Sequence, residues 1–127
     1  MSECNVCIGG REPDGTCEVF EQTIVKKSRK LHKCCECGRE IPVGSSYEST
    51  FTVYEGDAVR LKTCIACADI RDTFNCDGGV LINGQLWEEI VQADFFGNLN
   101  TGCIAKLKTV EAKQYLTERW QKWKGLR

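Results

Sequence analysis

Two cysteine pairs carry the clearest chemistry in this chain. Cys34 and Cys37 stand in a Cys-Cys-Glu-Cys-Gly turn, and Cys64 and Cys67 repeat the same spacing farther on. Two residues between paired thiols let both sulfurs face one point, and two such pairs supply the four thiolates of a tetrahedral zinc site. Gly38 suits the end of the first pair, because a chain that turns its amides around a metal-bound sulfur needs a residue at ease with positive φ. A site of four cysteines is closed. It leaves no position for water or substrate, so its work is to hold the fold.

Ten cysteines among 127 residues is a density met in disulfide frameworks or around metal. The stretch Met1-Ser-Glu-Cys-Asn-Val-Cys7 has neither the basic start nor the apolar core of a secretory signal. No apolar run approaches the roughly 18 residues that cross a bilayer. A reducing cytoplasm and zinc-bound thiolates are therefore expected rather than an oxidised scaffold.

Cys4 and Cys7 form a third pair that needs two further ligands, and Cys17, Cys35, Cys76, Cys103 and His32 are the candidates. Cys76 and Cys103 each lie near glycine in stretches read as loops flanking helices, where backbone can bend around a metal. The expectation is a second zinc on Cys4, Cys7, Cys76 and Cys103, with Cys17 in place of Cys76 or Cys103 as the main variant. Such a site would pin the amino terminus to the carboxyl-terminal half and replace burial that a small core does not supply. Cys35, between two ligands, is expected to turn away from the metal. For Cys17 and Cys35 the plain reading is a small thiol packed as a hydrophobe, and the sharper one is a redox sensor. His32, the sole histidine, is expected at the surface or beside the site.

The elements that must position these thiols follow from local patterns. Pro13-Asp-Gly15 marks a turn, and residues 17–27 are rich in β-formers. Residues 46–54 and 59–63 read as the arms of a hairpin joined by Glu55-Gly-Asp57. Ala68–Phe74 continues from Cys64-Ile-Ala-Cys67 as a short helix whose first turn carries the second ligand pair. Knuckle, hairpin and helix in that order form a treble-clef or zinc-ribbon-like core, and amides at a helix start favour thiolate over thiol. Residues 85–96 suit one amphipathic helix, 97–102 a break, and Thr109 the N-cap of a last helix with Ala112, Tyr115, Leu116, Trp120 and Trp123 on one stripe. The whole reads as a single zinc-stabilised α+β domain over 1–127, with a metal core at 32–76 and a helical part at 85–127.

Segments across the chain resemble a family of small cysteine-rich, zinc-binding proteins encoded by bacteriophages and prophages. The resembling pieces are Cys4-Asn-Val-Cys-Ile-Gly-Gly10, His32-Lys-Cys-Cys-Glu-Cys-Gly38, Thr63-Cys-Ile-Ala-Cys67 through Asp72, Leu86-Trp-Glu-Glu89, Thr101-Gly-Cys103 and Trp120-Gln-Lys-Trp-Lys-Gly-Leu126. In that pattern Cys17 has no counterpart, which argues for leaving it off the metal. The resemblance implies an accessory protein in the host cytoplasm that binds zinc. Because phages devote small genes to host takeover, it also suggests a role in blocking a host factor.

Other classes can be weighed from the residues. No His-x-Glu accompanies a Pro-Cys-x-x-Cys, no hydrolase elbow or phosphate loop is present, and the one histidine precedes the knuckle. Asp69/Asp72 and Glu88/Glu89 read as solvent-facing helix charge, so an enzyme is not expected. A net charge of -1 with pI near 5.9 gives no global pull toward nucleic acid. The exception is the basic run of Lys26, Lys27, Arg29, Lys30 and Lys33, with Tyr47, Phe51 and Tyr54 as possible stacking rings. A second cluster holds Arg119, Lys122, Lys124 and Arg127. Both clusters are read first as solvated surface. The leading expectation is a non-catalytic zinc module that binds a protein partner, using Trp120, Trp123 and nearby cations as anchors. A nucleic-acid-binding zinc finger is the alternative.

Overall fold

Runs of alternating β-branched, aromatic and polar residues build the sheet. The computed structural model describes residues 4, 6, 8, 17–54, 56–75, 85–92 and 95–125, apart from the side chains at 17–20, 54, 85 and 92. Strand β1 (Cys17–Val25), β4 (Tyr47–Tyr54) and β5 (Asp57–Cys64) form an antiparallel sheet in the order β1-β4-β5. The β4–β5 hairpin turns at Gly56, whose φ of 84° a side-chain-bearing residue rarely adopts. A register shift between Val19 and Glu21 bends β1 against β4.

Two short strands absent from the sequence reading, β2 (His32–Lys33) and β3 (Glu40–Ile41), pair on either side of the first cysteine turn. They clamp its base, with the Cys34 amide donating to the Arg39 carbonyl at 2.9 Å. Helix α1 (Ile65–Phe74) leaves directly from β5 and buries Ala66, Cys67, Ile70 and Phe74. It starts three residues before the expected Ala68, because Cys64 itself is the N-cap.

The carboxyl-terminal part holds α2 (Gln85–Gln92), α3 (Phe95–Asn98), α4 (Thr101–Lys106) and α5 (Val110–Gly125). Where one helix is expected over 85–96, two are found, and residues 93 and 94 lie outside the description. The expected loop around Cys103 is the short helix α4, capped by the Asn100 side chain, which accepts from the Cys103 amide at 3.1 Å. An Asn at an N-cap satisfies an amide that the helix cannot, a signal the glycine-rich reading passed over. Thr109 caps α5 as expected, its hydroxyl accepting from the Ala112 amide at 3.2 Å.

One apolar core joins the two parts. Ile8, Ile70, Phe74, Leu86, Ile90, Phe95, Cys103 and Leu116 are all buried to within 1% of full enclosure. Phe74 and Phe95 meet edge-on at 5.1 Å, and the Ile8 amide reaches the Phe74 carbonyl at 2.8 Å. The protein is thus mixed α+β, with two small sheets and five helices among the described residues. No helix among them is long and apolar enough to cross a membrane.

Candidate metal centre

The sulfurs of Cys34, Cys37, Cys64 and Cys67 converge to within 4.8 Å of one another. Each arrives for a local reason. Cys34 and Cys37 sit on a tight turn between β2 and β3, closed by the Gly38 amide donating to the Cys34 carbonyl at 3.0 Å. Gly38 has φ 76°, as the sequence leads one to expect. Cys64 ends β5 as the N-cap of α1, and Cys67 lies in the helix's first turn, so the capping geometry presents both sulfurs.

Zinc–sulfur bonds of about 2.3 Å in a tetrahedron put neighbouring sulfurs about 3.8 Å apart. Cys37 Sγ and Cys64 Sγ are 3.8 Å apart and all four sulfurs lie within 4.8 Å, so the cluster could close on a metal ion of that size. Cys34 Sγ accepts from the amides of Glu36 at 3.4 Å, Cys37 at 3.5 Å and Cys64 at 3.3 Å, and Cys64 Sγ accepts from the Cys67 amide at 3.5 Å. Amides aimed at sulfur favour the thiolate that a metal needs.

Proton energetics point the same way. The Cys34 thiol, with its hydrogen bond to Cys64 and Cys67 opposing the Cys37 bond that pushes it up, is lowered to about 6. Cys37 is held far lower still by donors from Cys34, Cys64 and Cys67, with Arg39 adding to them. Cys64 and Cys67 are pushed up, chiefly by their hydrogen bonds to Cys34 and Cys37. Without a cation, some sulfurs ionise only while others stay protonated beside them. A divalent ion removes that conflict, because it replaces the shared protons with one central charge.

Three side chains near the ligands, of which the sequence reading noted only Asp69, tie the cluster to the helical part. Glu36, inside the first pair, accepts from the Leu86 amide at 2.9 Å and so caps α2. Asp69, two residues after Cys67, is buried and accepts at Oδ2 from the Lys108 amide, the Thr109 amide and the Thr109 hydroxyl at 2.8–2.9 Å. The expectation that Asp69 is solvent-facing is therefore corrected: it holds the start of α5. Asp72, its partner in that reading, is exposed. Arg39 Nε donates to Cys37 Sγ at 3.4 Å while its guanidinium lies 3.4 Å from the Tyr115 ring centroid. The only advance signals were a carboxylate at a turn and a carboxylate inside a helix, and neither pattern names its partner.

The remaining candidates divide. Cys35 turns from the cluster toward Thr63 Oγ1, at 3.4 Å. His32 is half-buried on β2, edge-on to Tyr47 at 5.3 Å, and is not among the four clustered ligands. For the second site, the structure brings Cys4 and Cys103 together across 99 positions of sequence but joins them as a disulfide. In that form neither sulfur is a thiolate ligand. Cys7 and Cys76 lie outside the described residues, as does the Cys17 side chain. Lys26, Lys27, Arg29, Lys30 and Lys33 are all exposed. Arg119, read as solvated, instead stacks over Trp87 at 3.9 Å. Comparison with protein-family models, with curated proteins and with solved structures gives no match.

Proposed function

We propose that the chain is a non-catalytic zinc module of treble-clef type that presents a rigid surface to a protein partner. The observation carrying this reading is the closed set of four thiols whose immediate neighbours, Glu36, Arg39 and Asp69, each grip a carboxyl-terminal helix. Cys34, Cys37, Cys64 and Cys67 would hold the ion, which supplies a fixed tetrahedral node; four thiolates exceed the charge of a divalent ion and leave an anionic centre that Arg39 offsets in part. With every position taken by sulfur, no water is activated, so binding rather than turnover is the activity. Rigid elements lower the ordering cost of association. Taken with the resemblance to phage-encoded proteins, the partner is a cytoplasmic host factor. The test is capture from nuclease-treated bacterial lysate by zinc-loaded protein and by its Cys34→Ser variant. A protein partner retained after nuclease and lost with the metal supports the reading; capture that nuclease treatment abolishes overturns it.

Two further readings each rest on one observation. The exposed run of Lys26, Lys27, Arg29, Lys30 and Lys33 favours nucleic acid, which predicts tight binding that falls steeply with salt. The closeness of Cys4 and Cys103, joined as a disulfide, supports a second zinc with Cys7 and Cys76 only once that bond is reduced. Metal analysis separates one ion per chain from two.

A further inference from the structure

Between α2–α3 and α5 lies a cleft of about 520 Å³ whose lining includes Val91, Phe96 and Trp123 on the apolar side and Arg39, Arg119 and Lys122 on the polar side. Its volume falls in the ~300–1,000 Å³ range of sites that enclose a ligand. No carboxylate is among its described lining residues. The neighbouring cleft, on the other side of Arg39 and Tyr115, carries Glu40, Glu111 and Glu118. A protein of net charge -1 therefore concentrates cations around one apolar trough. Arg39 shares its charge with the sulfurs of the metal centre, so Arg119 and Lys122 exert most of the attraction. Neither of them belongs to the described ion pairs. Val91 stands 71% exposed at the edge of the trough, an apolar side chain that a partner would cover.

We propose that this cleft docks an acidic peptide segment of the partner protein, one large apolar side chain entering beside Val91 and Phe96 and flanking carboxylates meeting Arg119 and Lys122. This names the partner's chemistry for the zinc module and rests on that reading. Single-stranded nucleic acid is the rival for any trough with cations and rings, but stacking on bases requires open ring faces. Here Arg119 covers Trp87 and Arg39 covers Tyr115. Trp123 leans on Phe96 at 6.0 Å with the planes 30° apart, and Lys124 sits 3.7 Å from the Trp120 centroid. With a cation or a second ring already on each of these rings, the cleft better suits an aliphatic or aromatic side chain with carboxylate neighbours.

The test titrates the full zinc-loaded chain into short fluorescein-labelled peptides in which Phe or Leu is flanked by Glu and Asp. The controls are peptides with Lys for the acids, peptides with Ala for the Phe or Leu, and labelled oligothymidylate. Saturable binding of the acidic apolar peptides is expected, weakened about tenfold or more by either peptide change. Lys122→Glu and Val91→Asp, both at exposed positions, should weaken it by a similar factor while leaving zinc content and circular dichroism unchanged. Absence of saturable binding overturns the proposal. So does unchanged affinity in both variants, or oligothymidylate that binds more tightly and displaces the peptide. A chain that holds zinc and captures a protein from lysate yet ignores these peptides defeats this inference alone. A chain without zinc defeats the reading beneath it.

Discussion

Arg39 and Tyr115 form the joint between the metal cluster and the last helix: the guanidinium lies 3.4 Å from the ring centroid while Nε and Nη2 of the same group face Cys37 and Cys64 sulfur at 3.4 and 3.8 Å. The stack and the charge-assisted bonds to sulfur draw on different properties of arginine, a planar face and a positive edge. Arg39→Ala removes both and should cost about 1–3 kcal/mol in urea unfolding, with zinc transferred to a chelator about 10–100-fold faster. Arg39→Lys keeps the charge and loses the planar face, so it should recover zinc retention better than it recovers stability. Equal recovery of the two would show that the stack contributes nothing.

The four ligands should be separable from their neighbour. Cys34→Ser or Cys64→Ser should release the zinc and unfold the hairpin, because structural zinc contributes folding free energy directly. Cys35→Ser, whose sulfur meets Thr63 rather than the cluster, should keep its zinc and lose no more than about 1 kcal/mol. Zinc content and far-ultraviolet circular dichroism of the three variants check this.

Asp69 and Asp72 offer the same chemical change in opposite settings. Asp69→Asn weakens a buried acceptor that serves three donors at the start of α5, and about 2–3 kcal/mol should be lost. Asp72 carries a side chain 64% exposed and pairs with Arg71 Nε at 3.0 Å, so Asp72→Asn should cost at most about 1 kcal/mol. Denaturant midpoints at matched slope compare the two.

Arg71 joins α1 to β4 through a buried two-pronged pair, Nη1 and Nη2 each 2.7 Å from the Glu48 carboxylate oxygens. Arg71→Met alone should cost about 3–5 kcal/mol, since it strands a buried carboxylate. Adding Glu48→Leu should restore much of that loss, because two apolar side chains leave no charge unpaired. A double variant no better than the single one would mean the pair fixes the sheet against the helix in a way packing cannot replace.

Acid should empty the centre. The Cys34 thiol is depressed from 9.0 to about 6 and Cys37 lies below its ordinary range too. A depressed acidic group contributes stability that is present above its unfolded value and is lost as pH falls through the folded one. Because the metal binds thiolates, protons compete with it for all four sulfurs, and zinc retention should hold at neutral pH and fall as the solution is made acidic. Release followed with a colorimetric chelator across that range checks the direction.

The four-cysteine cluster was legible because its information is local. A pair spaced by two residues, a glycine needing positive φ and a helix start that presents two sulfurs are all written in neighbouring positions around Cys34 and Cys64. The β1, β4 and β5 strands were legible for the same reason, through alternation. What stayed hidden depends on partners distant in sequence. Glu36 looks like any turn carboxylate until Leu86 arrives with an unsatisfied amide, and Asp69 looks solvated until Lys108 and Thr109 bring theirs. The helix around Cys103 was missed because its neighbouring glycines were weighed above the Asn100 cap. Cys4 and Cys103 were rightly sought in one place, but spacing alone does not distinguish a shared ion from a disulfide.

The central claim is a closed centre in which four sulfurs enclose one ion. X-ray absorption at the zinc edge of the purified protein tests it most directly. The expected spectrum has four sulfur neighbours at about 2.3 Å and nothing lighter at bonding distance. An oxygen or nitrogen neighbour in that position, or native protein free of metal with Cys34, Cys37, Cys64 and Cys67 paired as cystines, would contradict it.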